Sequence, residues 1–182
     1  MVEREVKLRF VSPDAARAAI LAAGAIPLRA RRLQVDVILD TNDETLRRRH
    51  CVLRIRAEAG TTLLTFKGPV RAGSMKIRDE HETVVDDGEV LRHVFSEVGL
   101  LARFRSEKYR EEFTAEGVVI AIDETPVGTF VEIEGSEEGI LTTTKALGCT
   151  PKDFVLDSYR QLFVQHRGRF GLTGSDMVFG GA

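Results

Sequence analysis

The chain has 182 residues, 26 Lys and Arg against 28 Asp and Glu, a net charge of −2 and 43% hydrophobic residues. That length fits one domain able to bury a core without disulfides or a structural metal. The hydrophobic fraction excludes intrinsic disorder, and the near-neutral balance argues against a dedicated nucleic-acid binder, whose affinity rests on neutralising phosphates.

Residues 1–10 alternate at the period of a strand, with Val6, Leu8 and Phe10 on one face and Glu3, Glu5, Lys7 and Arg9 on the other. Ser12-Pro13-Asp14 then supplies an N-cap, a first-turn proline and an early acid for a helix that Gly24 can stop. The apolar run within it, residues 18–26, is too short to span a bilayer and follows no basic leader. A cytoplasmic protein without a membrane partner is expected. Residues 31–39 read as a second strand, closed by the turn formers Asp40-Thr41-Asn42-Asp43. Residues 51–56 and 61–67 alternate again, and Gly68-Pro69 ends the latter. Residues 75–85 form a long strand carrying Arg78, Glu80 and Glu82 at period two. A helix over 89–98 aligns Val90, Val94 and Val98 before Gly99. Residues 103–113 are a strand bearing Arg105, Lys108 and Arg110, and 118–123 pairs with 129–134 through Pro126-Val127-Gly128. Helices follow over 137–147 and 157–165, and the Gly-rich stretch from Gly168 reads as a mobile tail. The domain is therefore placed at 1–166 with a tail at 167–182. Short connections between about eight strands predict an antiparallel sheet, and eight strands suffice to close a barrel.

Strand after strand pairs an apolar face with an ionic one. A sheet packed on helices with its other face in water is the simple explanation for any one strand. Solvent faces, however, mix in Thr, Ser, Gln and Asn, and these faces hold few of them. Charges facing inward need counter-ions, since an unpaired buried charge costs several kcal/mol. A polyanion with divalent metal would supply them: carboxylates bind a hard cation, and Lys and Arg bind phosphate oxygens.

Glu3-Arg4-Glu5-Val6-Lys7 resembles the Glu-x-Glu-x-Lys signature of the CYTH superfamily, the triphosphate tunnel metalloenzymes. That superfamily includes class IV adenylyl cyclases, thiamine triphosphatases and inorganic triphosphatases. The resemblance continues in order through Gln34-Val35-Asp36, Asp40-Thr41, Leu53-Arg54-Ile55-Arg56 and Thr65-Phe66-Lys67-Gly68-Pro69. It extends through Arg78-Asp79-Glu80-His81-Glu82, Lys108-Tyr109-Arg110, Asp123 and Glu132-Ile133-Glu134. Asp157-Ser158-Tyr159 is most similar to the class IV cyclases, so the likeness spans residues 2–163. Two departures, Ile38-Leu39 in place of an aromatic pair and His50-Cys51-Val52 in place of a nearby Gly, touch substrate fit and remove no charge.

The resemblance implies a closed eight-stranded antiparallel β-barrel, the triphosphate tunnel, with helices outside, an α+β fold that is mainly β. It implies that Lys7, Arg54, Arg56, Lys67, Arg78, Lys108 and Arg110 hold a triphosphate. Glu3, Glu5, Glu132 and Glu134, helped by Glu82 and Asp123, would hold Mg²⁺ or Mn²⁺. Lys67 and Glu80 are candidates for the acid–base role, and a structural ion-pair role stays equally open for each. The expected activity is that of a class IV adenylyl cyclase, converting ATP to cyclic AMP and pyrophosphate. The alternatives are hydrolysis of inorganic or thiamine triphosphate and, from another class, a nucleotide- or polyphosphate-binding module without turnover. Such a module would have less need of the paired acids. A small-molecule triphosphate is the expected partner of a monomer or homodimer.

Rival readings are weaker. Arg29, Arg31, Arg32 and Arg47-Arg48-Arg49 are flanked by acids such as Asp43 and Glu44, so a solvated surface outweighs nucleic-acid binding. No phosphate-binding Gly-rich loop or dinucleotide fingerprint is present, and the four histidines lack metal spacing. Cys51 and Cys149 are too few for a disulfide framework and lie at no zinc spacing. Tyr159 reads as a packing residue of the last helix.

Overall fold

A computed structural model describes residues 1–180. The strands β1 (Val2–Phe10), β2 (Ile26–Asp40), β3 (Val52–Glu58), β4 (Thr61–Lys67), β5 (Lys76–Val85), β6 (Leu101–Ala115), β7 (Val118–Thr125) and β8 (Gly128–Gly135) follow the alternating segments of the sequence. They close into one antiparallel barrel in the order β1-β5-β4-β3-β2-β6-β7-β8. The helices are α1 (Pro13–Ala22), α2 (Thr45–Arg48), α3 (Gly88–Glu97), α4 (Glu137–Ala146) and α5 (Tyr159–His166). Among the described residues no helix is long and apolar enough to cross a membrane.

The hydrophobic core lies outside this barrel. Val6 and Leu8 of β1, Ile120 and Ile122 of β7, and Val131 and Ile133 of β8 point outward and pack on Ala16 and Ile20 of α1 and Ile140 of α4. Because strand side chains alternate, burying these residues under helices turns their neighbours inward. Those neighbours include Glu3, Glu5, Lys7, Asp123, Glu132 and Glu134. A small barrel is commonly filled with apolar side chains; here the register that serves the outer core makes the interior ionic.

Local chemistry sets most boundaries. Ser12 Oγ accepts from Ala15 N–H at 3.1 Å, and Pro13 stands in the first turn of α1. Gly24 follows with φ of 82°, a conformation that costs a residue with a Cβ. Strand β2 begins five residues earlier than its periodicity indicates. Its first part pairs with β6 through register shifts on either side of Arg29, so the alternation is broken there although the pairing persists. The single turn α2 was not expected from its sequence. Asp40 builds it from outside, accepting from the backbone N–H groups of Leu46 and Arg47 at 2.8 and 2.9 Å.

Two gaps in the barrel wall are filled by C-terminal residues. Strand β1 pairs with β5 only over Val2–Glu5; beyond it, Val155 N–H donates to the Lys7 carbonyl at 2.8 Å. Strand β7 pairs with β6 only from Tyr109 onward, and the tail occupies the edge left open. Met177 N–H donates to Arg105 O at 2.9 Å, and Glu107 N–H to Met177 O at 2.8 Å. Phe179 packs on Tyr109 with ring centroids 5.3 Å apart. Residues 167–180 are thus docked, contrary to the mobility that their glycine content indicates. The apolar side chain of Met177, 1% exposed, anchors them beside Leu162 and Phe163 of α5.

Candidate functional site

The barrel encloses a cavity of about 1460 Å³. Glu3, Glu5, Lys7, Arg54, Arg56, Lys67, Arg78, Glu80, Glu82, Lys108, Arg110, Glu132 and Glu134 all line it. Of the candidate site residues, only Asp123 is withdrawn from its surface. Strand register explains the convergence, since directly paired positions share a face. Glu3 stands opposite Arg78, and Glu5 opposite both Lys76 and Glu134. Lys7 stands opposite Glu132, Lys67 opposite Glu80, and Arg110 opposite Asp123.

The bases gather around a buried network. Asp123, 0% exposed, accepts from Lys108 at 2.7 Å, from Nε and Nη2 of Arg110 at 2.6 Å each, and from the Tyr159 hydroxyl at 2.6 Å. Glu132 pairs with Lys7 at 3.1 Å and also with Arg110. Burial works against both carboxylates, but the surrounding Lys7, Lys108 and Arg110 charges hold them below the ordinary range. With its oxygens engaged behind Lys108 and Arg110, Asp123 is placed as their counter-ion rather than as a ligand facing the cavity. Asp36 does the same on β2, across β6 from Asp123, gripping Arg56 at 2.6 and 2.8 Å with Arg54 at 3.8 Å. Burial would raise the Asp36 pKa; Arg56 and Arg54 prevail and lower it.

Several cations keep donors free. Arg54 reaches Thr65 Oγ1 at 3.1 Å, and that hydroxyl donates to Glu82 at 2.7 Å, but Arg54 Nε is buried without a partner. An unmet buried donor costs about 1–3 kcal/mol, so it marks where an anion would be welcome. Lys76 lies 3.6 Å from Glu5 and donates to the Asp157 carbonyl at 3.1 Å. Desolvation first, then the Lys7 charge, lowers its pKa to about 8. Desolvation and Arg110 lower that of Lys108 to about 8 as well. In both lysines burial is the larger cause and the neighbouring cation adds to it, while the nearby carboxylates pull the other way.

The acids crowd along another wall. Lys67 bridges Glu3 at 2.5 Å and Glu80 at 3.0 Å. Glu134 is pushed up to about 7, by burial first and then by Glu3, with Glu5 and Glu80 adding to it. Like charges facing across a strand pair are destabilising, and carboxylate oxygens are the donors a hard divalent cation prefers. The residues present therefore fit Mg²⁺ or Mn²⁺ in donor type and charge. Among the described residues no three acids stand at ligand spacing, so a cation would have to draw them together.

Three participants escape a reading of the sequence. Lys76 sits one step before Arg78 on the same phase of β5, and extending that alternation backwards would have found it. Asp36 follows from the phase of Gln34 and Ile38 on β2. Tyr159 stands in the Asp157-Ser158-Tyr159 motif, but no strand phase marks it as part of the site. It comes from a helix outside the sheet, and its ring lies 4.4 Å from Lys7 Nζ and 5.0 Å from Lys108 Nζ.

The family model described as the CYTH domain matches residues 1–146. This chain belongs to the CYTH domain family. The eight-stranded tunnel that the family resemblance implies is the fold observed. A Methanocaldococcus jannaschii protein named "Putative adenylate cyclase" is 27% identical over 173 residues, covering 89% of this CYTH chain and 98% of the relative. A Vibrio parahaemolyticus structure described as a "putative adenylate cyclase" superposes with a TM-score of 0.80 at 20% identity, covering 90% of this chain and 98% of that one. A Hippeastrum structure superposes with a TM-score of 0.62 at 20% identity, covering 90% and 95%. That protein is described as a "putative adenylyl cyclase" with a dominant triphosphatase activity. At these identities the two structures establish the shared fold.

Proposed function

We propose that this CYTH protein is a metal-dependent enzyme acting on a nucleoside triphosphate, converting ATP to cyclic AMP and pyrophosphate. The observation that carries this reading is the division of one cavity. The charged interior continues to the strand ends where Ile38 pairs with Phe104, and there Val52 and Leu156 line the cavity together with Asp40, Arg47, His50 and Arg160. The interior matches a triphosphate, and the apolar side chains of this mixed mouth, Ile38, Val52, Phe104 and Leu156, give a nucleoside a place that inorganic triphosphate would not use. The name of the Methanocaldococcus relative supports the same choice.

In this reading Lys7, Arg54, Arg56, Lys76, Arg78, Lys108 and Arg110 hold the phosphates and neutralise charge on the nonbridging oxygens. Glu3, Glu5 and Glu134, with Glu132 and Glu82 alongside, would hold Mg²⁺ or Mn²⁺. A bound divalent ion polarises phosphoryl oxygens and offsets negative charge on the leaving group. The ribose 3′-hydroxyl attacks the α-phosphorus; a new P–O bond forms, the bond from α-phosphorus to the bridging oxygen breaks, and pyrophosphate leaves. Glu80 would accept the hydroxyl proton in this reading, a role that its ion pair with Lys67 at 3.0 Å supports by holding the carboxylate in place. Most of the catalytic effect would come from alignment, because cyclisation and hydrolysis differ in which phosphorus lies in line with the attacking oxygen.

The triphosphatase reading stands second, favoured by the activity described for the Hippeastrum neighbour. Incubation with ATP, thiamine triphosphate and tripolyphosphate, each with Mg²⁺ or Mn²⁺, separates them by product. Cyclic AMP with pyrophosphate is the expected outcome. Inorganic phosphate with a diphosphate would select the hydrolase, and tight binding without turnover would select a binding module.

A further inference from the structure

The CYTH match ends at residue 146, yet the segment after it touches three tunnel lysines. The Asp157 carbonyl accepts from Lys7 at 3.4 Å and from Lys76 at 3.1 Å. Two residues on, Tyr159 presents the face of its ring to Lys7 and Lys108 and gives its hydroxyl proton to Asp123. The ring is seated from behind by Phe130, edge-on at a centroid distance of 5.6 Å. Leu162 and Phe163 of the same helix pack with Phe104, Phe130 and Met177 and hold it in place.

A buried tyrosine beside a phenylalanine is ordinarily packing. This one differs in what its hydroxyl reaches: the Asp123 oxygen it bonds, Oδ2, is also held by Lys108 and Arg110. We infer that Tyr159 is a positioning residue of the triphosphate site, setting Lys7 through its ring and Lys108 and Arg110 through Asp123. The inference rests on the triphosphate reading above. Sharing Asp123 with a neutral donor weakens its hold on the two bases and leaves their remaining N–H groups for phosphate. Without the phenol, Lys108 and Arg110 are drawn more fully onto Asp123. The ring face keeps the Lys7 and Lys108 ammonium groups gathered without a competing negative charge.

The test compares the parent chain with Tyr159→Phe and Met177→Ala. Binding of tripolyphosphate is measured by calorimetry and turnover by kinetics, below the melting temperature of each protein. Tyr159→Phe should weaken tripolyphosphate binding about tenfold and raise KM similarly, with kcat within about twofold, because the lost interaction serves ground and transition states alike. Met177→Ala loosens the seat of α5 without removing the hydroxyl. It should lower the melting temperature and leave binding within about twofold of the parent. Equal weakening in both variants, or a change in melting alone for Tyr159→Phe, would reduce Tyr159 to packing and overturn the inference.

A measurement on the intact phenol guards against misfolding. The chain has two tyrosines, so 3-fluorotyrosine labelling gives two fluorine resonances, with Tyr109 on the outer surface as internal control. Titration with tripolyphosphate should shift the Tyr159 signal and leave the Tyr109 signal in place. A stationary Tyr159 signal while calorimetry records binding contradicts the inference. Failure of the parent chain to bind tripolyphosphate instead removes the functional reading, and the inference with it.

Discussion

Asp123→Asn tests how the tunnel tolerates so many buried charges. The substitution keeps the shape of the side chain and removes a charge on which Lys108, two nitrogens of Arg110 and the Tyr159 hydroxyl converge within 2.7 Å. Breaking a buried pair by neutralising one partner costs about 3–5 kcal/mol. A chain of this size loses about 2–4 °C of melting temperature per kcal/mol, giving a drop of about 6–20 °C. The lower half of that span is expected, because the asparagine oxygen still accepts one bond. The sign with pH is fixed. Burial raises the Asp123 pKa, but Arg110 and Lys108 outweigh it, so the folded pKa lies below the unfolded value of about 3.9. The stabilisation is therefore complete at neutral pH and fades as the medium is acidified below about pH 4. Thermal melts of both proteins at pH 7 and at about pH 3 measure it, the gap between them narrowing at the lower pH. A variant melting within about 2 °C of the parent at pH 7 would refute the view that Asp123 neutralises these bases.

Further outcomes follow from the same geometry. Lys76 and Lys108 titrate near pH 8, so metal-free tripolyphosphate binding should weaken as pH rises through about 8, and binding near that pH should take up protons. Calorimetry in two buffers of different ionisation enthalpy detects this; constant affinity from about pH 7 to 9.5 would contradict it. Glu134→Gln removes a carboxylate crowded by Glu3, Glu5 and Glu80, so the metal-free protein should melt no lower than the parent, while the rise caused by Mn²⁺ is lost. An undiminished Mn²⁺ effect would take Glu134 out of the metal site. Asp36→Asn leaves Arg56 and Arg54 uncompensated and should destabilise the fold by about 3–5 kcal/mol at pH 7, as read from denaturant melts.

The barrel was legible because its interior and exterior are written at period two. On β1, Glu3, Glu5 and Lys7 alternate with Val6 and Leu8, and on β5 the phase of Arg78, Glu80 and Glu82 is unbroken. Where alternation fails, as around Pro27 and Arg29 at the start of β2, only the pairing with β6 shows the strand. Charged residue types were enough to gather the site, but not to assign its tiers. Asp123 and Glu132 look alike in sequence, yet one lies behind the bases and the other faces the cavity. That difference comes from the partners that cover Asp123, namely Lys108, Arg110 and Tyr159, the last a contact across 36 residues that no local pattern encodes. The docking of the tail was hidden for a similar reason. Its glycines speak for freedom, whereas its position is decided by Met177 and an open edge of β6 far away in sequence.

The central claim is that one tunnel divides its charges, carboxylates for a divalent cation and bases for phosphate. A crystal grown with Mn²⁺ and a non-hydrolysable ATP analogue tests it most directly, because manganese can be located by anomalous scattering. The account predicts a manganese peak among Glu3, Glu5 and Glu134. It also places the phosphates against Lys7, Arg54, Arg56, Lys108 and Arg110, with the adenosine at the mouth beside Ile38 and Phe104. Manganese away from those glutamates, or a triphosphate bound outside the barrel, would contradict it.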